Sequence, residues 1–324
     1  SPPMTPAYYS PFIQPKEEIV KRRSETRSAR LQFRQDSYRI EPKYKGNQAE
    51  LDTVRNSIAL VKDNDDLTIT GIYVTGYASP EGTFAYNMKL SERRAKAFTE
   101  YMKDDLKAID PQLYHVDWKG EDWVGLREEV VKCSDLPKRE EVLDIIDHCG
   151  DDKDACEKQL KALVPPTIYQ YLLKELYPAV RRNEYRIEYN VRHFTVEEGR
   201  EMIKNHPELM SVSEIQQVAD SYGKGSPEYV NCLVSGVKAY PNDVTAVNNA
   251  ALALMEANRT DEAIRLLDNV PAEGELLNMK GVVYVKAGNL EKAVQAFSEA
   301  QAKGYSQAGE NLTQLKQYME YMAE

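Results

Sequence analysis

The sequence predicts an α+β chain in two parts. A β-α-β-α-β(-β) sandwich with a helical insertion comes first, and an all-α segment of repeated helix pairs follows. Three observations predict this. Strand-like and helix-like runs alternate from about residue 31 to 120 and strand character returns at 185–189, which implies crossovers and a sheet with helices packed on it. Strand signals vanish from about residue 196. Beyond that point Ala263 and Ala293 occupy equivalent places in two helix pairs, 30 residues apart, which is an internal repeat.

Residues 1–29 hold five prolines in the first fifteen positions and then turn strongly charged, a composition that builds no core and reads as a linker from something upstream. Leu31 and Phe33 alternate with Gln32 and Arg34, which predicts the first half-buried strand. After a turn-rich stretch ending at Gly46, Ala49, Leu51, Val54, Ile58, Leu60 and Val61 recur at helical spacing. Leu67 to Tyr77 is β-branched and aromatic, a strand, and Ser79-Pro80-Glu81-Gly82 breaks it as a turn. A helix follows from about Phe84 to Met102, with Leu90, Ala97, Phe98 and Tyr101 on one face. Tyr114 to Trp118 suits a third strand. Residues 121–178 are helical in composition, and Tyr185, Ile187 and Tyr189 alternate with polar residues as a last strand. The helix pairs of the second part are Ala250–Ala257 with Glu262–Leu267, and Leu276–Lys286 with Leu290–Ala302.

The 324 residues suffice for two ordinary domains, and 42% apolar with 29% charged residues is usual for globular chains. No apolar run approaches the roughly 18 residues of a membrane-spanning helix. No cleavable leader stands at the N-terminus; a processed or truncated chain would look the same, so this gives no argument for the cytoplasm. The formal net charge of −10 disfavours nucleic acid and anionic membranes as partners. The one basic stretch, Lys21, Arg22, Arg23, Arg27 and Arg30, is interrupted by Glu25 and reads as a solvated linker or helix. Four cysteines, Cys133, Cys149, Cys156 and Cys232, fit no zinc module. Cys149 and Cys156 flank an acidic run and suit either a small disulfide loop in an oxidising compartment or two separate thiols.

Two family resemblances add to this reading. Leu277, Gly281, Tyr284, Ala293, Phe297 and Ala300 resemble the tetratricopeptide pattern, in which small residues sit where paired helices approach closely. The preceding unit matches with Val247, Ala251, Leu254, Ala263, Leu267 and Val270, and residues 211–239 match loosely. That resemblance implies a groove for a peptide or protein partner. Residues 76–95, GYASPEGTFAYNMKLSERRA, resemble the peptidoglycan-associated OmpA C-terminal family: Gly76, Gly82, Asn87, Leu90, Ser91, Arg94 and Ala95 fit without a gap. The resemblance covers about residues 30–120 and 180–191, so the expected division is a linker at 1–29, an OmpA-like domain at 30–195 with an insertion at 121–178, and tetratricopeptide-like repeats at 196–324.

The site follows from that second resemblance. Arg94 lies four residues from both Leu90 and Phe98, on the flank of the apolar helix face, whereas Arg93 points about 100° away. A guanidinium at a core edge needs a carboxylate partner, ideally bidentate. The family's equivalent arginine contacts a carboxylate of diaminopimelate in the peptidoglycan stem peptide, and an aspartate in the turn contacts its amine. Ser79 takes that aspartate's place here, a loss of roughly 1–3 kcal/mol in amine binding. Glu81 either substitutes for it or neutralises Arg94. The expected site residues are therefore Ser79, Glu81, Asn87 and Arg94.

No phosphate loop, nucleophile elbow, HExxH helix or dinucleotide fingerprint is present, and His115, His148, His193 and His206 are scattered. No enzyme activity, metal or cofactor is expected. The resemblances together imply a non-catalytic protein of a Gram-negative envelope, periplasm-facing or outer-membrane associated, with a tether supplied by a missing N-terminal part. Peptidoglycan and a protein partner at the repeats are the expected ligands. The alternative is an envelope scaffold whose OmpA-like domain is degenerate, in which Glu81 or an insertion helix fills the pocket beside Arg94.

Overall fold

The computed structural model describes residues 6–324. The chain forms two compact units: Arg22–Val191, and Arg192–Glu324 together with the residues up to Lys21.

The first unit is built on a four-stranded sheet in the order β1-β4-β2-β3, with β1 at Lys21–Ala29, β2 at Leu67–Ala78, β3 at Tyr114–Glu121 and β4 at Arg182–Val191. β2 pairs parallel with β3 and antiparallel with β4. Helix α1 (Asn47–Lys62) precedes β2, and α2 (Phe84–Asp105) makes the crossover from β2 to β3. Both helices cover the same sheet face. Ser57 of α1 hydrogen-bonds the Tyr185 hydroxyl of β4 at 2.8 Å, and Phe98 of α2 meets the same ring edge-on. Leu51, Val54 and Ile58, Ile72 and Val74, Ala95 and Met102, and Ile187 complete that core, each at most 3% exposed.

The first strand lies earlier than apolar alternation predicts. Leu31 and Phe33 are not in a strand; β1 is the charged run from Lys21, inside the expected linker. An edge strand shows little side-chain alternation, and charges on it are a usual defence against edge-to-edge pairing, so an apolar pattern is the wrong signal for it. The solvated-linker reading of the basic stretch is corrected with it. Lys21 is fully buried, its Nζ 2.8 Å from Glu214 and donating to the Leu209 carbonyl at 3.0 Å. Residues 1–5 of the expected linker lie outside the described residues.

Between β3 and β4 the chain is helical: α3 (Trp123–Lys132), α4 (Arg139–His148), α5 (Lys153–Lys161), α6 (Thr167–Tyr171), a π-helical turn at Leu172–Leu176, and α7 (Tyr177–Val180). These helices share their own core, from Leu126 and Val130 to Leu160, Ile168 and Tyr177. Glu157 is buried in it and accepts hydrogen bonds from Tyr169 and, at 2.5 Å, from Tyr177. Of the two alternatives for the cysteines, the disulfide is present: Cys149 is bonded to Cys156, while Cys133 and Cys232 are free thiols.

The second unit is helical: α8 (Val196–Asn205), α9 (Val212–Ser221), α10 (Pro227–Ala239), α11 (Val244–Glu256), α12 (Thr260–Asp268), α13 (Gly274–Lys286), α14 (Leu290–Ala302) and α15 (Gln307–Ala323). Capping boxes at Thr195 and Ser211 start α8 and α9. The turns between α11 and α12 and between α13 and α14 are short, which makes each pair an antiparallel hairpin. Gly281 sits where α13 meets α14: a Cβ there would lie 2.4 Å from the Phe297 ring. None of the described helices is long and apolar enough to cross a membrane.

Candidate functional site

The segment from β2 into α2 explains why its small residues matter. A Cβ on Gly76 would stand 2.5 Å from the Ser91 carbonyl oxygen and 2.8 Å from the Ala95 Cβ, so glycine lets α2 lie directly on β2. Ser91 ties the helix to the next strand, its Oγ accepting from the Gly120 amide at 3.1 Å. The intervening turn closes on Gly82 at φ 96°, and Thr83 caps α2 by accepting from the Tyr86 amide at 3.2 Å.

Asn87 fixes this turn from below. Its Nδ2 donates to the Glu81 carbonyl at 2.9 Å and to Glu121 Oε2 at 2.7 Å. Glu121 also accepts from the Trp123 indole at 2.9 Å; burial holds its carboxyl above the usual range against these two donors. Asn87 is 3% exposed and Ser79 equally buried, so both belong to the turn's interior. Glu81 is exposed, and its carboxylate lies 3.8 Å from Arg181 rather than on Arg94.

Arg94 projects from the next turns of α2 toward residues 31–37. That connection is held by Asn47, which exchanges hydrogen bonds with the Gln32 backbone at 2.7 and 2.9 Å. The Arg94 guanidinium lies 4.4 Å over the Phe33 ring, and its Nε donates to the Ser37 carbonyl at 3.2 Å. Among the described residues it has no carboxylate within ion-pair distance. Burial, with the nearby Arg181 cation, pulls its pKa down to about 10, still protonated at neutral pH.

Arg94 opens on a recess of about 90 Å³, whose wall includes Phe33, Tyr77, Arg181, Arg182 and Asn183. A recess of that size admits a small polar group such as a carboxylate or an ammonium. The three arginines differ in their partners. Arg182 is bound by Asp122 at 2.8 Å and Glu184 at 2.9 Å, Arg181 has the longer Glu81 contact, and Arg94 has no acidic partner among the described residues. Asn183 is 3% exposed and its buried Oδ1 has no hydrogen-bond donor among the described residues. Its place is set by register, since Asn183 pairs with Gly76 across β2 and β4.

Of the four expected site residues, then, Arg94 lines the recess, while Ser79, Glu81 and Asn87 form the adjoining turn. Asn183, Arg181 and Phe33 were missed by sequence reasoning. The Arg181-Arg182-Asn183 run opening the last strand was a visible signal, but only strand register brings it to Gly76.

These features define a sheet-and-helix domain with an arginine-lined recess beside a glycine turn. Residues 32–125 match the OmpA family, so an OmpA family domain occupies that part of the chain. No catalytic family is indicated. The chain is also similar to Outer membrane protein 41 of Porphyromonas gingivalis, 46% identical over 50 residues. That stretch is 15% of this chain and spans 12% of the relative's length.

Proposed function

We propose that this chain is a non-catalytic protein of a Gram-negative cell envelope, contacting peptidoglycan through its OmpA-like unit and a protein partner through its helical unit. The observation that carries the peptidoglycan reading is the half-buried Arg94 guanidinium, which faces a recess with no carboxylate at ion-pair distance among the described residues. A partly desolvated cation without a paired counter-charge is costly, and a stem-peptide carboxylate would supply a bidentate acceptor. Asn87 and Glu81 act one step back, the first fixing the turn and the second balancing Arg181.

The envelope location draws support from the OmpA family domain and from the Cys149–Cys156 disulfide, a bond that persists in oxidising compartments such as the periplasm. The helix pairs, with Gly281 against Phe297, carry the tetratricopeptide-like spacing that supports a partner-binding module. The rival reading is an envelope scaffold whose domain has lost the cell wall, and the missing turn aspartate favours it.

Calorimetry with diaminopimelate or a muropeptide tests the choice. Saturable binding that falls at least tenfold in Arg94→Ala is the expected result. No heat at millimolar ligand would remove the peptidoglycan reading and leave the scaffold.

A further inference from the structure

The helical unit already holds an extended peptide, and that peptide is the chain's own N-terminal segment. Four asparagines do the holding: Asn248 and Asn249 on α11, Asn278 on α13 and Asn311 on α15, each at most 2% exposed. Asn311 Oδ1 accepts from the Tyr9 amide at 2.9 Å, while Asn278 and Asn311 donate to the Tyr9 carbonyl at 2.8 and 3.0 Å. Asn249 accepts from the Ile13 amide at 2.9 Å and donates to the Ile13 carbonyl at 2.7 Å. Asn248 donates to the Pro11 carbonyl at 2.9 Å. The contacted residues are 9, 11 and 13, the period of an extended backbone.

Every one of these bonds reads main chain, so the asparagines recognise extension and leave side-chain choice to other contacts. Tyr8 stacks on Phe297 of α14 with centroids 5.9 Å apart, and Pro15 is buried. Tyr9 and Phe12 are partly exposed, at 47% and 39%, and the Tyr9 side chain also meets Tyr305. Prolines at 6, 11 and 15 hold the segment near the extended conformation and lower the entropy lost on docking. Pro11 lacks an amide proton and presents to Asn248 only the carbonyl that is used.

We propose that the face formed by α11, α13 and α15 is a peptide-binding site for an extended polypeptide with an aromatic residue three positions before a proline, as Tyr8 stands to Pro11, and that residues 8–13 are its tethered resident ligand. An external segment of the same chemistry binds by displacing the resident one. A short tether gives the resident segment an effective concentration in the millimolar range, so the site is shielded from weak competitors and open to a strong or abundant one. The buried asparagine amides make an emptied face unfavourable, which favours exchange over simple release. This deepens the partner-binding reading of the helical unit and is independent of Arg94, so muropeptide binding and peptide binding fail separately.

The test uses the full chain and a fluorescein-labelled peptide of residues 6–16, followed by anisotropy. In the chain variant Tyr8→Ala/Ile13→Pro the resident segment loses its ring contact and one amide donor. It should bind the labelled peptide at least tenfold more tightly than wild type, and adding Asn249→Ala/Asn311→Ala should remove that gain. Equal binding by the wild type and the Tyr8→Ala/Ile13→Pro chain, with unchanged helical circular dichroism and melting, overturns the proposal. If that variant melts early, amide exchange on the ¹⁵N-labelled wild type decides. Millimolar unlabelled peptide must accelerate exchange at Ile13, and an unchanged rate overturns the proposal equally.

Discussion

Replacing Gly76 with alanine tests whether the glycine in the turn motif is there for helix–sheet contact. The new Cβ would be 2.5 Å from the Ser91 carbonyl oxygen and 2.8 Å from the Ala95 Cβ, a backbone atom and a side chain that has no rotamer to change. Relief requires α2 to move off β2. Overpacking of this kind costs about 1–3 kcal/mol, and rigid neighbours put the substitution at the upper end. Reduced freedom of the unfolded chain offsets about 0.4–1 kcal/mol of that. The net loss of about 2 kcal/mol corresponds to a ~30-fold shift toward unfolding. Trp118 and Trp123 are the chain's two tryptophans and both lie in Arg22–Val191, so their fluorescence in a urea titration follows that unit. Gly71→Ala is the control, since the nearest atoms its Cβ would meet, from 2.6 Å, belong to the Tyr73 ring, a side chain with rotamers to use. Unfolding of Gly76→Ala within about 0.5 kcal/mol of wild type would refute the claim that this contact is tight and fixed.

Lys21→Met leaves Glu214 buried with only its backbone donors at Phe194 and Ser211, and the second unit should lose about 3 kcal/mol at neutral pH by circular dichroism melting. Although burial would raise Glu214, Lys21 and those two amides hold it below the usual carboxylate range, so its contribution exists above pH 4.5 and fades as pH falls through the lowered value. Glu157 behaves in the opposite sense. Burial raises it despite Tyr169 and Tyr177, so the stability linked to its proton is present below pH 4.5 and is lost as pH rises through the elevated value. Glu157→Gln should therefore flatten the stability profile on the alkaline side of pH 4.5 in tryptophan-monitored unfolding; an unchanged slope would argue against that burial.

Much of the fold was legible because burial writes itself into side-chain period. β2 from Ile72 and β4 throughout alternate buried with mostly half-buried residues, and the helices from α11 to α14 place alanine, glycine and leucine on their contact faces. β1 was not legible, because a charged edge strand carries no apolar period, and its position in the sheet depends on partners distant in sequence. The peptide segment was invisible for a related reason. Its bonds go from its backbone to asparagines more than 230 positions away, and neither prolines nor lone asparagines announce such pairing.

The candidate site was half legible, and the division has a physical basis. Arg94 could be placed because a helix fixes which residues share a face, and the spacing to Leu90 and Phe98 is local. What surrounds Arg94 is not local: Phe33 arrives on a loop pinned by Asn47, and Asn183 arrives by strand register opposite Gly76. The decisive fact was which arginine Glu81 would meet, and that depended on α7 leading into β4 at Arg181. With Glu81 beside Arg181 and Arg182 held by Asp122 and Glu184, these acids meet the flanking cations; Asp36, which accepts from Tyr86, supports the Arg94 charge without an ion pair, and Arg94 faces the recess. A purely structural arginine at this position would be expected to recruit one of those carboxylates. Arg94 instead pairs with a carbonyl and an aromatic face, and the proposed peptidoglycan contact needs its charge where a scaffold does not, which is why Arg94→Ala separates the two functional readings more sharply than any change in the turn.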